Sequence, residues 1–215
     1  MAKLKTVIFG AGGFAREVLP FVKLNKKLTV VRFVDLNPKI EKIEGIAVIA
    51  EKEFWTKFKK LGVKAVVVAV GEPSIRETIF VAVKKAKLQL PAIIHPSAVL
   101  ADDFACGDGT IIYPLVTAQV HCRVGEGVLL NAGCTIGHDT LIEDFVNINP
   151  GVNIAGNVRI RKFAYLGIGS SVVEKITIGE NTTIGAGAVV IDDMPGHVIS
   201  VGVPAKIIRN LKSQG

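Results

Sequence analysis

The stretch Thr135-Ile136-Gly137-His138-Asp139 holds the residue types in this chain that most directly suggest chemistry. Imidazole titrates near neutral pH, so it can take a proton from an amine or a hydroxyl, a contribution of roughly 10²–10⁴ in rate. A carboxylate such as Asp139 can orient the ring or raise its basicity. Neighbouring residues of a strand point to opposite faces, so direct contact between these two requires a local twist. The other histidines are less suggestive. His95 adjoins Pro96, His121 falls on an exposed corner of the repeat described below, and His197 lies past that repeat.

A second candidate site opens the chain. Gly10-x-Gly12-x-x-Ala15 has the spacing of a phosphate-cradling turn between a strand and a helix. Glycines let the backbone approach a phosphate, and a helix N-terminus presents N–H groups and a positive dipole. Asp35 ends the second predicted strand, where an acid that binds ribose is expected. Gly71 ends the third and would line the same crevice. Arg76, one turn into the next helix, is either a phosphate partner or a surface arginine. A nucleotide phosphate without hydride chemistry, a purely structural tight turn and an NAD site are all compatible with the loop. NAD would need a second half of the fold, for which about 90 residues are too few.

The elements that must position these residues are of two kinds. Residues 3–9, 28–34 and 64–70 read as strands, and 14–24, 51–61 and 73–88 as helices. That alternation predicts a parallel sheet in an α/β domain over residues 1–90. From Ile94 to Val190 every sixth residue is apolar, through 17 consecutive positions. The residue two before each is mostly small, as in Ala98, Thr110, Cys134 and Ala188. A period of six fits neither a helix nor an alternating strand; it predicts a parallel β-helix over residues 91–192. Three hexads close a coil of roughly eighteen residues, with the aliphatic and the small residue both facing in. Each large aliphatic contributes roughly 1.5–3 kcal/mol on burial. His138 lies two after Ile136, on the outer side of a coil. Residues 193–215 leave the period and read as a C-terminal tail.

Composition removes several function classes. No apolar run approaches the ~18 residues that cross a bilayer, and the apolar start breaks at Gly10, as a strand does and a signal peptide does not. A cytoplasmic protein with no membrane partner is expected. Three cysteines, without Cys-x-x-Cys or a His/Cys cluster, predict neither disulfide nor metal; Cys106, Cys122 and Cys134 read as buried space-fillers. The net charge of +7 is spread out and not interleaved with aromatics, which argues against nucleic acid. Solvated lysines, or attraction for small polyanions, account for it better.

The hexads, the strand–glycine turn–helix start and the Gly-His-Asp segment together resemble the NeuD/PglD-like sugar O-acyltransferases, a group of left-handed β-helix enzymes. Phe9-Gly10-Ala11-Gly12-Gly13, Phe33-Val34-Asp35, Val70-Gly71-Glu72-Pro73-Ser74-Ile75-Arg76, Ile94-His95-Pro96 and Val201-Gly202-Val203-Pro204-Ala205-Lys206 carry the narrower likeness. The resemblance implies a left-handed coil and a homotrimer with a site at each seam. It implies acetyl-CoA as acyl donor, and an acceptor sugar nucleotide held by the first domain at Gly12, Gly13, Phe14, Asp35 and Gly71. It makes His138 the general base and Asp139 its helper, with Gly156, Ile168 and Gly185 against the coenzyme. Some members carry a second, coenzyme-contacting histidine where Asn147 stands; asparagine keeps a donor for the thioester carbonyl.

The reading is therefore an acetyl-CoA-dependent acetyltransferase of a nucleotide-linked amino sugar. Transfer to a sugar hydroxyl and a non-catalytic nucleotide- or sugar-binding scaffold are the alternatives. A lone prism with apolar flanks and a small first domain also favours self-association.

Overall fold

Between Ile93 and Ile94 the chain divides into two units that bury their aliphatic side chains in different ways. The computed structural model describes residues 3–211. The end of the expected tail, residues 212–215, lies outside the described residues.

In the first unit the strands are β1 (Leu4–Phe9), β2 (Leu28–Asp35), β3 (Lys42–Ile43), β4 (Ile46–Ala50) and β5 (Ala65–Val68). They form one sheet in the order β3-β4-β2-β1-β5, all parallel except the β3–β4 pair. The helices are α1 (Gly13–Leu24), α2 (Glu51–Leu61) and α3 (Pro73–Lys85). α1 buries Ala15, Val18, Leu19 and Val22, the 3–4 spacing of one helical face. β5, the last strand in that order, is nonetheless buried along its whole length, which accounts for its unbroken Ala-Val-Val-Val run. The β3–β4 hairpin was not foreseen. Its two-residue turn is Glu44-Gly45, both at positive φ, and β4 extends the parallel sheet beside β2.

The second unit is a three-walled column of parallel two-residue strands. Wall 1 stacks Ile93–Ile94, Ile111–Ile112, Leu129–Leu130, Asn147–Ile148, Tyr165–Leu166 and Thr183–Ile184. Wall 2 stacks Val99–Leu100, Thr117–Ala118, Thr135–Ile136, Asn153–Ile154, Ser171–Val172 and Val189–Val190. Wall 3 stacks Ala105–Cys106, Arg123–Val124, Leu141–Ile142, Arg159–Ile160 and Thr177–Ile178. Register advances by 18 residues at each step, as in Thr117↔Thr135↔Asn153. The aliphatic residue of each hexad is buried from Ile112 through Val190, and so is the small residue two before it. Buried threonine hydroxyls at the small positions donate to corner carbonyls: Thr110 Oγ1 to Gly125 O at 2.8 Å, and Thr182 Oγ1 to Pro195 O at 2.6 Å. These bonds satisfy the threonine hydroxyls, whereas Ser170 Oγ, at another of the small positions, is buried without a hydrogen-bond partner.

Three expectations change. Ile94 is 45% exposed and Leu100 and Cys106 are only partly buried, because the first coil has no coil before it. Cys106 is thus a half-covered residue, unlike Cys122 and Cys134, which are buried. The expected tail also does not leave the column at residue 193. Asp192–Gly196 shorten one coil, so that Ile178 bridges Met194 and Thr183 pairs with Ile199, and Lys206–Asn210 then folds back antiparallel on Val198–Val201.

Candidate active site

His138 and Asp139 occupy the corner between walls 2 and 3. Asp139 stands there at φ +57, in the left-handed region, as do His121, Asn157 and Lys175 on neighbouring coils. This corner supplies the twist that a strand lacks. Asp139 Oδ2 lies 2.7 Å from His138 Nδ1, a direct contact. An ionised carboxylate only accepts hydrogen bonds, so the Nδ1 proton points at Asp139 and Nε2 carries the lone pair. Both side chains are about half exposed, at 50% and 46%. The backbone holds the pair rigidly: Asp139 N–H donates to Val120 O at 3.0 Å and Asn157 N–H to His138 O at 2.8 Å. Gln119, one coil earlier, accepts the His138 N–H through Oε1 at 3.1 Å. Sequence reasoning missed Gln119; its signal was its place one coil, 18 residues, before Gly137, the neighbour of His138.

Gly156 lies on the same corner, one coil later. A Cβ there would come within 2.6 Å of His138 Nε2 and 2.7 Å of Cε1. The reactive edge of the ring therefore lies over a bare backbone, where a side chain would displace it. Ile168, 61% exposed, and Gly185 lie elsewhere, on the corner between walls 1 and 2. Asn147 begins a wall 1 strand and is 5% exposed. One chain thus groups His138, Asp139 and Gly156, and sets Ile168 and Gly185 on the opposite border of wall 2.

His121 repeats the pairing one coil earlier, with Nδ1 2.7 Å from Asp103 Oδ2. Asp103 is held below its usual range, first by the His121 backbone N–H it accepts and then by the nearby charges. His95 Nδ1 bonds Ser97 Oγ at 2.8 Å and accepts the Ser97 backbone N–H at 3.1 Å, and His197 Nδ1 lies 3.3 Å from the Asn181 side-chain Nδ2 one coil earlier. Burial raises the thiol pKa of all three cysteines, that of Cys134 to about 11, so none offers a thiolate near neutral pH. Among the described residues no group of three His, Cys, Asp or Glu could hold a metal ion.

The glycine-rich loop of the first unit follows β1 and opens α1. Gly10 has φ +106, and a Cβ on it would sit 2.4 Å from Ala69 O, so only glycine fits. Gly12 caps α1 without a side-chain hydrogen bond, and nothing lies within 4 Å of a Cβ added at Gly12, Gly13 or Gly71. That open rim suits a phosphate. Asp35 is committed to this loop: Oδ2 accepts from Ala11 N–H and Oδ1 from Asn37 N–H, each at 3.0 Å. Arg76 is not a surface residue. It is fully buried, and Nη1 donates to Val70 O at 2.8 Å and Gly71 O at 3.0 Å, which fixes the β5–α3 loop. Burial lowers its pKa to about 9, against the attraction of Glu72.

The PglD N-terminal domain family matches residues 5–83. No curated protein matches the chain by sequence. Among solved structures, PerB from Caulobacter crescentus, in complex with CoA and GDP-perosamine, is 30% identical, over 95% of this chain and 97% of that one, at a TM-score of 0.90. A histidine-to-asparagine variant of perosamine N-acetyltransferase from the same organism, with the same ligands, is 29% identical over 96% and 97%, at 0.91. The acetyltransferase domain of PglB from Neisseria gonorrhoeae FA1090, in complex with acetyl coenzyme A, is 28% identical over 96% and 100%, at 0.87.

Proposed function

Because the chain belongs to the PglD/NeuD-like hexapeptide-repeat sugar acetyltransferases, we propose that it transfers the acetyl group of acetyl-CoA to the amino group of a nucleotide-linked amino sugar. The observation that carries the mechanism is the 2.7 Å contact between Asp139 and His138 Nδ1, with Nε2 over Gly156. The acceptor nitrogen attacks the thioester carbonyl while its proton passes to Nε2. Asp139 stabilises the imidazolium that forms. Collapse of the tetrahedral intermediate breaks the C–S bond and expels the coenzyme thiolate, which the imidazolium can protonate. No covalent enzyme intermediate is needed, in keeping with the raised cysteine pKa values. PerB, bound to CoA and a GDP-linked sugar, supports the substrate classes. The open glycine rim of the first unit is assigned to the acceptor's phosphates.

We assign the active assembly as a homotrimer with wall 2 toward its axis. The outward residues of that wall are Val99, Thr117, Thr135, Asn153, Ser171 and Val189, none charged. Exposed Leu115, Val120, Ile168, Val173 and Ile191 line its two corners. The corner between walls 3 and 1 instead carries charge, including the Arg161–Glu143 pair at 2.8 Å. Wall 2 at a threefold axis would bring the His138 corner of one copy beside the Ile168 and Gly185 corner of the next. Thiol release from acetyl-CoA, screened over a panel of amino-sugar nucleotides, tests the activity; silence across the panel would reject it. Ser171→Arg, which places three like charges near the axis, should shift sedimentation to the monomer and lower turnover at least about tenfold. A fully active monomer would reject the shared site.

Gly156→Ala tests the ring position separately. The intruding methyl meets the end of a flexible side chain and not backbone, so the fold should persist. Displacing Nε2 should lower kcat/KM by roughly 10–100-fold with unchanged circular dichroism. Wild-type kinetics would mean that the ring acts from another position.

A further inference from the structure

The first unit has a second concave surface that the reaction does not use. A hollow of about 690 Å3 is lined by Trp55, Phe58 and Lys59 of α2 and by Ala82, Lys85, Ala86 and Lys87 at the end of α3. Its lysines lie toward the end of the sheet away from the glycine-rich loop, while Trp55 packs on Phe9, the last residue of β1, at 5.7 Å between ring centroids. The hollow reaches the C-terminal ends of two helices that run back against their strands, and Lys5 at the start of β1 reaches Leu61 O at the end of α2. Gly10–Gly13 follow the other end of β1.

Its chemistry is of two kinds. The Trp55 ring is fixed by an indole N–H bond to Glu51 Oε1 at 2.9 Å and by edge packing on Phe54 and Phe58, with centroids 4.9 and 6.1 Å away. Ala82 and Ala86 opposite are small enough to leave room for a flat group. Lys59, Lys85 and Lys87 are exposed at the rim, and no acidic residue lines it. Lysines that end helices complement the helix dipole, and Lys59 and Lys85 do so. Lys87 lies beyond α3, in the left-handed conformation at φ +56, and still lines the hollow. Aromatic floors take the face of a base, lysine ammonium groups take phosphate, and the volume suits a small molecule.

We propose that this hollow binds a nucleoside phosphate, base on Trp55 and Phe58 and phosphates among Lys59, Lys85 and Lys87, as a site separate from the glycine-rich loop. Trp55 is the only tryptophan of the chain, so its fluorescence reports on the site directly. ADP titrated into the full chain should quench it saturably. The double variant Lys59→Gln/Lys87→Gln should weaken the apparent Kd by roughly tenfold or more, and adenosine should bind wild type comparably less well. Gly13→Asp, which puts a carboxylate into the open glycine rim, should leave the quench unchanged. Absence of a saturable quench at millimolar ADP overturns the site. So does a quench that survives the lysine changes and is lost in Gly13→Asp, since Trp55 would then be reporting, through Phe9, nucleotide bound at the glycine-rich loop.

Discussion

His138→Ala should lower kcat by at least about 100-fold while the protein stays folded, because removing a positioned general base forfeits roughly 10²–10⁴ in rate. The fold has little stake in the ring. The side chain is 50% exposed, and the backbone bonds of residue 138 to Gln119 and Asn157 do not depend on it. The coil core is made instead by Ile136, Ile142 and Ile154, all buried. Thermal melts should therefore match wild type, and KM for acetyl-CoA should change little. Turnover within a few-fold of wild type would remove His138 from the mechanism and leave the column as a binding platform.

Gly10→Ala should destabilise the first unit by about 3 kcal/mol or more. The added methyl would sit 2.4 Å from Ala69 O, a backbone atom that cannot rotate away, at a φ of +106 that L side chains rarely adopt. Strain at such a position alone costs about 1–3 kcal/mol, and the clash adds to it. The carbonyl is itself anchored, since Ala69 N–H donates to Phe9 O at 2.8 Å. Urea unfolding followed by Trp55 fluorescence should show an earlier midpoint for this unit. Gly13→Ala, where the new atom meets nothing within 4 Å, should stay within about 0.5 kcal/mol of wild type. Equal midpoints for the two variants would contradict the packing of Gly10 on Ala69.

The column was readable because one constraint repeats in it many times. Each inward position must match the coil above and below, so the period appears directly in residues such as Ile136, Ile154 and Val172. The glycine-rich turn was readable for a similar reason, since Gly10 answers to a single close contact. What stayed hidden depends on geometry across coils or on local dihedral angles. Alternation along a strand argued against direct contact between His138 and Asp139, and only the left-handed corner at Asp139 permits it. Arg76 read as either a phosphate partner or a surface cation because nothing in its sequence neighbourhood announces that two loop carbonyls will receive it. The β3–β4 hairpin hid because its strands are two and five residues long, and Glu44-Gly45 is a weaker turn signal than Asn-Gly.

The constant register of the column sets a rule for insertions and deletions. Adding 18 residues within it would lengthen the column by one strand spacing, about 4.8 Å, and leave every later side chain on its original wall. Adding six would instead rotate everything beyond the insertion by a third of a turn, carrying Ile168 and Gly185 to a different corner from the one they now hold. Lineages can therefore change the reach between the histidine and the far coils in whole steps, while intermediate lengths scramble the face that neighbouring copies would share.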